Sequence, residues 1–150
     1  MPYLVSRISK FSWLLAAICL ISGLAGEAKA LELSIAEEVK IRAVVQAQLD
    51  ALAIDDADRA FSFAAPSIRK MLGNAENFLA MVRSSYPVVH RPASVAFLKP
   101  RLQGKEVVQA TQMTDAQGEA WLAIYNLQRQ PDRSWRISAC VVVPNKGRAA

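Results

Sequence analysis

The sequence predicts an α+β domain, with N-terminal helices packed on one face of a curved antiparallel sheet of about four strands. Three observations carry that prediction. Apolar residues recur at helical spacing as far as residue 85 and alternate after about residue 94. Helix and strand signals are segregated along the chain, not interleaved, which argues against a parallel βαβ sheet. Hydrophobic residues make up 53% of the chain and charged residues 21%, enough apolar surface for a core without metals or disulfides.

Residues 1–30 read as a secretory leader. Arg7 and Lys10 precede an apolar run from Phe11 to Leu24, and Ala28-Lys29-Ala30 gives an A-x-A cleavage signal. The run is shorter than the roughly 20 residues that cross a bilayer, so no stable membrane span is expected after cleavage. Ile18 before Cys19 argues against lipidation. The expected mature chain is therefore a single domain over residues 31–150, periplasmic or secreted. Cys140 is then its one cysteine, in a strand-like run that reads as core.

The elements follow in order. Ser34 and Glu37 form an S-x-x-E cap for a helix from Ile35 to about Ile54, with Ile41, Val44, Val45, Gln48, Leu49 and Leu52 on one face. Glu38 and Arg42 have the spacing of an i,i+4 ion pair. Asp55-Asp56 stops this helix, and Asp56 or Asp58 caps a short one through Phe63. Pro66 opens a third helix, which Gly73-Asn74 ends. Asn74 caps a fourth from Ala75 to Ser85, with Phe78, Leu79, Met81 and Val82 inward and Pro87 as its stop. Strands are expected at Ser94–Leu98, Glu106–Thr114, Glu119–Gln130 and Ser134–Val143. Asp115-Ala116-Gln117-Gly118 and Pro131-Asp132-Arg133 supply the last two turns. Trp121, Ala123, Tyr125 and Leu127 share one face of the third strand, and Leu122 and Ile124 share the other. Helices cover one face only, so a homodimer is expected to cover the second.

Charge is uneven. Residues 31–58 hold seven acids and two bases; residues 59–105 hold eight bases and one acid. The acidic first helix is expected to offset the basic stretch in space. Nucleic acid is not an expected partner, because interleaved aromatics are missing and the chain carries an export signal. One histidine, no CxxC and no Gly-rich loop point away from metal, redox and nucleotide chemistry, and no cofactor is expected.

Four segments carry a family resemblance: Val44-Val45-Gln46-Ala47-Gln48-Leu49-Asp50-Ala51, Ala60 to Arg69, Met81 to Pro92, and Gln128 to Ile137. Together they resemble domain-of-unknown-function family 4864, within the nuclear-transport-factor-2-like cone fold that also includes ketosteroid isomerases. The resemblance implies a cone with a pocket between helices and sheet, and implies no activity. Arg133 departs from the glycine usual there, so a longer or non-primed turn is expected.

Tyr86, His90, Arg91 and Tyr125 are the candidate ligand-binding residues. Tyr86-Pro87-Val88-Val89-His90-Arg91-Pro92 is a stiffened segment whose donors suit a small anionic or carbonyl-bearing ligand. The expected function is a non-catalytic module that binds a small ligand or a protein partner. A structural or interaction module using the outer sheet face is the first alternative. An isomerase- or dehydratase-like enzyme is the second, and it lacks a visible acid/base pair, so no catalytic residue is assigned.

Overall fold

A computed structural model describes residues 32–147; the leader and Cys19 lie outside the described residues. Helix α1 spans Ile35–Ala53, α2 Ala57–Ser62, α3 Pro66–Leu72, α4 Ala75–Ser85 and α5 Pro87–His90. Strands β1 (Ser94–Phe97), β2 (Arg101–Gln103), β3 (Glu106–Thr114), β4 (Ala120–Arg129) and β5 (Trp135–Pro144) form one antiparallel sheet. Its order is β1-β3-β4-β5, with β2 also paired to β3. The α+β class and the helix-then-sheet order are as the sequence predicts.

Four details differ from the sequence expectation. The sheet has five strands, because β2 turns through Gly104, at φ +62°, and pairs with the start of β3. All three β2 residues are exposed, so no apolar alternation marks the strand. Pro87 does not only end α4: its preset φ opens α5, so the stiffened segment Tyr86–Pro92 is in part helical. Glu38 reaches Lys99 at 3.9 Å, while the helical ion pair is Glu37–Lys40 at 3.1 Å. Only half of the capping box forms: Ser34 Oγ accepts from Glu37 N at 3.2 Å, and the Glu37 carboxylate turns to other partners.

The core lies between α1, α2, α4 and the inner sheet face. Ile41, Val45 and Leu52 meet Val107, Ala123, Tyr125 and Leu127, all fully buried. Strands β4 and β5 slip register between Asn126 and Leu127, which pair with Ala139 and Ile137 and leave Ser138 as the extra residue. Such a bulge bends the strand and increases its twist locally. The hairpin at Pro131-Asp132-Arg133 is a three-residue loop with Arg133 left-handed at φ +68°. Arg133 N donates to Gln130 O, and Asp132 accepts from Ser134 N and Oγ. A side chain in that conformation is disfavoured, which is why glycine is usual at this place. Among the described residues, no helix is long and apolar enough to cross a membrane.

Candidate functional site

A cavity of about 320 Å³ opens between the helices and the inner sheet face. Gln48 and Leu52 of α1 form one wall, and Phe78, Met81 and Val82 of α4 another. Tyr125, Ile137 and Cys140 contribute from the sheet. The rim is α3, through Ile68, Met71 and Leu72. This helix has no buried residue and no side-chain cap, and ends at Gly73 with φ +82°. Met71 lines the cavity while 71% exposed. A short helix this thinly packed is the part of the wall that opens at least cost.

None of the residues lining the cavity carries a charged side chain. The polar groups are few. Gln48 donates Nε2 to Ala60 O at 3.1 Å, which leaves its carbonyl oxygen as an acceptor. The Tyr125 hydroxyl is buried and makes no well-formed hydrogen bond; the Cys140 thiol, a weak acceptor, lies beside it. Cys140 is its cross-strand neighbour. Burial, and then the adjacent thiol, raise the Tyr125 phenol well above its usual range. Burial likewise pushes the Cys140 thiol up to about 12. Both groups therefore stay protonated, and Cys140 is not a thiolate nucleophile.

The four predicted residues separate. Tyr86 and Tyr125 line the cavity; His90 and Arg91 do not. Tyr86 and Arg91 also border a second cleft of about 290 Å³, beside Asp115 and Trp121. His90 and Arg91 are held instead by Asp55, which the sequence marks only as a helix stop. Its Oδ1 accepts from His90 Nε2 at 2.7 Å and pairs with Arg83 at 2.8 Å, and its Oδ2 accepts from Arg91 at 2.8 Å. Arg91 also donates Nε to Ala53 O.

The local chain explains why an aspartate sits there. Asp56 N donates to Ala51 O and Asp55 N to Leu52 O, which is a Schellman closure of α1. The closure needs a left-handed residue, and Asp55 takes φ +60°, which aspartate tolerates better than most. Its carboxylate then joins the α1–α2 corner to α4 and α5, which wall the cavity. The acidic segment thus offsets part of the basic stretch, through Asp55 and through Glu38 on Lys99.

The His90 hydrogen bond, followed by that from Arg83, lowers the Asp55 carboxyl to about 2. A carboxyl lowered in the fold stabilises it above the unfolded value of about 3.9, and that contribution disappears as the folded group protonates. Asp55→Asn keeps the left-handed turn and removes the charge. The variant is expected to melt lower than wild type at neutral pH, with the gap closing between pH 4 and pH 2. Thermal melts across that range test it; no gap at neutral pH would mean that Asp55 acts through its backbone alone, and a gap constant with pH would mean that its charge is not the cause.

Gln48 is legible in the sequence as the one polar residue in the stripe on α1, and its polarity marks the cavity wall. Among the described residues, no group of three or more His, Cys, Asp or Glu side chains is placed to hold a metal ion. The family model described as Domain of unknown function (DUF4864) matches residues 34–150. No curated protein matches the chain. A solved structure described as an NTF-2 like protein of unknown function, from Burkholderia xenovorans LB400, is similar with a TM-score of 0.47 and 17% identity. The match covers 75% of this chain and 88% of that one.

Proposed function

The chain belongs to the domain-of-unknown-function family DUF4864, and from that premise we propose that it is a binding module holding a small apolar molecule between helices and sheet. The observation that carries the reading is the cavity of about 320 Å³ with an uncharged lining and a thinly packed helix at its rim. That space corresponds to about ten water volumes, and a wall this apolar favours replacing the water by a hydrophobic ligand. The lining residues include no carboxylate or imidazole to serve as a general base, so binding fits them better than proton-transfer catalysis.

The proposal places the working protein outside the cytoplasm, with the leader removed after Ala30. It also seats a second copy on the outer sheet face. Val141 is 54% exposed and Val143 38% exposed there, beside half-buried Leu122 and Ile124. A contiguous apolar patch of this kind favours association.

Native and denatured mass spectra of protein from the exported fraction test all three parts. The denatured mass is expected to begin at Leu31, the native mass to be that of a dimer, and the native species to carry a mass excess lost on denaturation. Met81→Trp, which fills the cavity from α4, is expected to keep the fold and lose the excess. An unchanged excess in that variant would place the ligand elsewhere.

A further inference from the structure

We infer that the molecule held in the cavity is neutral and carries one hydrogen-bond acceptor, such as a ketone or ester carbonyl, that receives the Tyr125 hydroxyl. This deepens the binding reading above and rests on it. Tyr125 is fully buried, yet its hydroxyl makes no well-formed hydrogen bond among the described residues, the Cys140 thiol beside it being a weak acceptor. Buried polar groups in folded proteins are nearly always paired, so an orphan at a cavity wall marks where a partner belongs.

The neighbouring groups set what that partner is. Cys140 lies across the strand from Tyr125 and lines the same cavity, with a thiol that donates only weakly. Protonated phenol and thiol together present donors, so the group that fits them is an acceptor. An anion fits badly, because no cationic side chain lines the cavity. The nearby cations Arg83 and Arg91 are held outside it on Asp55. A plain hydrocarbon fits the walls and leaves the hydroxyl unpaired.

Three probes of one shape separate these cases in calorimetric titrations of the purified full protein: 2-acetylnaphthalene, 2-ethylnaphthalene and 2-naphthoate. Wild type is expected to bind the ketone about ten- to a hundredfold more tightly than the hydrocarbon, the discrimination that one buried hydrogen bond supplies. The carboxylate is expected to bind weakest. Tyr125→Phe is expected to bind the two neutral probes alike. Equal binding of ketone and hydrocarbon by wild type overturns the inference and leaves the binding reading standing. A preference that survives Tyr125→Phe, or tightest binding of 2-naphthoate, also overturns it. Failure of all three probes to bind overturns both readings.

Discussion

Tyr125→Phe is expected to stabilise the protein. The hydroxyl is buried without a partner, so the fold carries the cost of its dehydration with no hydrogen bond in return. Removing the oxygen and keeping the ring deletes that cost, and the expected gain is about 1–3 kcal/mol in urea unfolding of ligand-free protein. The ring's packing against the core is unchanged, because the substitution conserves shape apart from one atom. In most buried tyrosines the same change is destabilising, so the sign is diagnostic. A loss of stability would mean that the hydroxyl already has a good partner in the free protein, with the Cys140 thiol as the nearest one. A gain combined with loss of ketone preference would identify a residue kept for binding at the expense of the fold, as stability–function trade-offs predict.

The contrast with Thr111 sharpens that argument. Thr111 is equally buried on the neighbouring strand, but its hydroxyl donates to Ala123 O at 3.2 Å. The sheet satisfies one inward-facing hydroxyl from its own backbone and leaves the other with only the Cys140 thiol beside it. Gln109, opposite Tyr125 in register, donates Nε2 to Leu98 O at 2.7 Å, toward the β1–β2 side. Its Oε1 is buried without a partner too, so the two unpaired atoms on neighbouring strands do not satisfy each other.

Much of the fold was legible because the local signals agree with the packing. The stripe on α1 names most of its buried face, and Asn74 caps α4 as expected, accepting from Asn77 N at 2.8 Å. Alternation on β4 separates buried Ala123, Tyr125 and Leu127 from half-buried Leu122 and Ile124. What escaped was set by long-range partners. A polar residue after a helix looks the same whether it binds water or three side-chain donors, so Asp55 gave no sign of its role. His90 and Arg91 looked like pocket donors because sequence proximity to Tyr86 does not reveal which way a short helix turns them. The exposed β2 has no pattern of its own and exists only through pairing with β3. Tyr125 was found by its place on an apolar strand face, but only the structure shows that its hydroxyl is unpartnered.

Trp135→Ala is expected to damage the fold more than any of the substitutions above, at about 3–5 kcal/mol by urea unfolding. The indole is 6% exposed and begins β5, next to the hairpin. Its Nε1 donates to the Glu37 carboxylate at 2.7 Å, joining positions 98 residues apart. Glu37 also pairs with Lys40 at 3.1 Å and Arg129 at 3.8 Å, and the Arg129 guanidinium lies 5.9 Å from the indole ring centre. The first turn of α1 is thereby fastened to the end of the sheet. The Trp135 hydrogen bond, and then that from Lys40, hold the Glu37 carboxyl below its usual range. Its stabilising contribution is thus present above the ordinary glutamate value and fades as the folded group protonates in acid. Glu37→Gln keeps an acceptor for the indole and is expected to cost less than about 1 kcal/mol at neutral pH, because the cations it pairs with, Lys40 and Arg129, are exposed and such pairs contribute little. Glu37→Ala leaves the buried indole N–H unpaired and is expected to cost about 1–3 kcal/mol. In the double variant with Trp135→Ala, the Glu37→Ala cost should largely vanish, since the group it leaves unpaired is gone. Full additivity would mean that the two residues act separately and that packing alone holds α1 to the sheet.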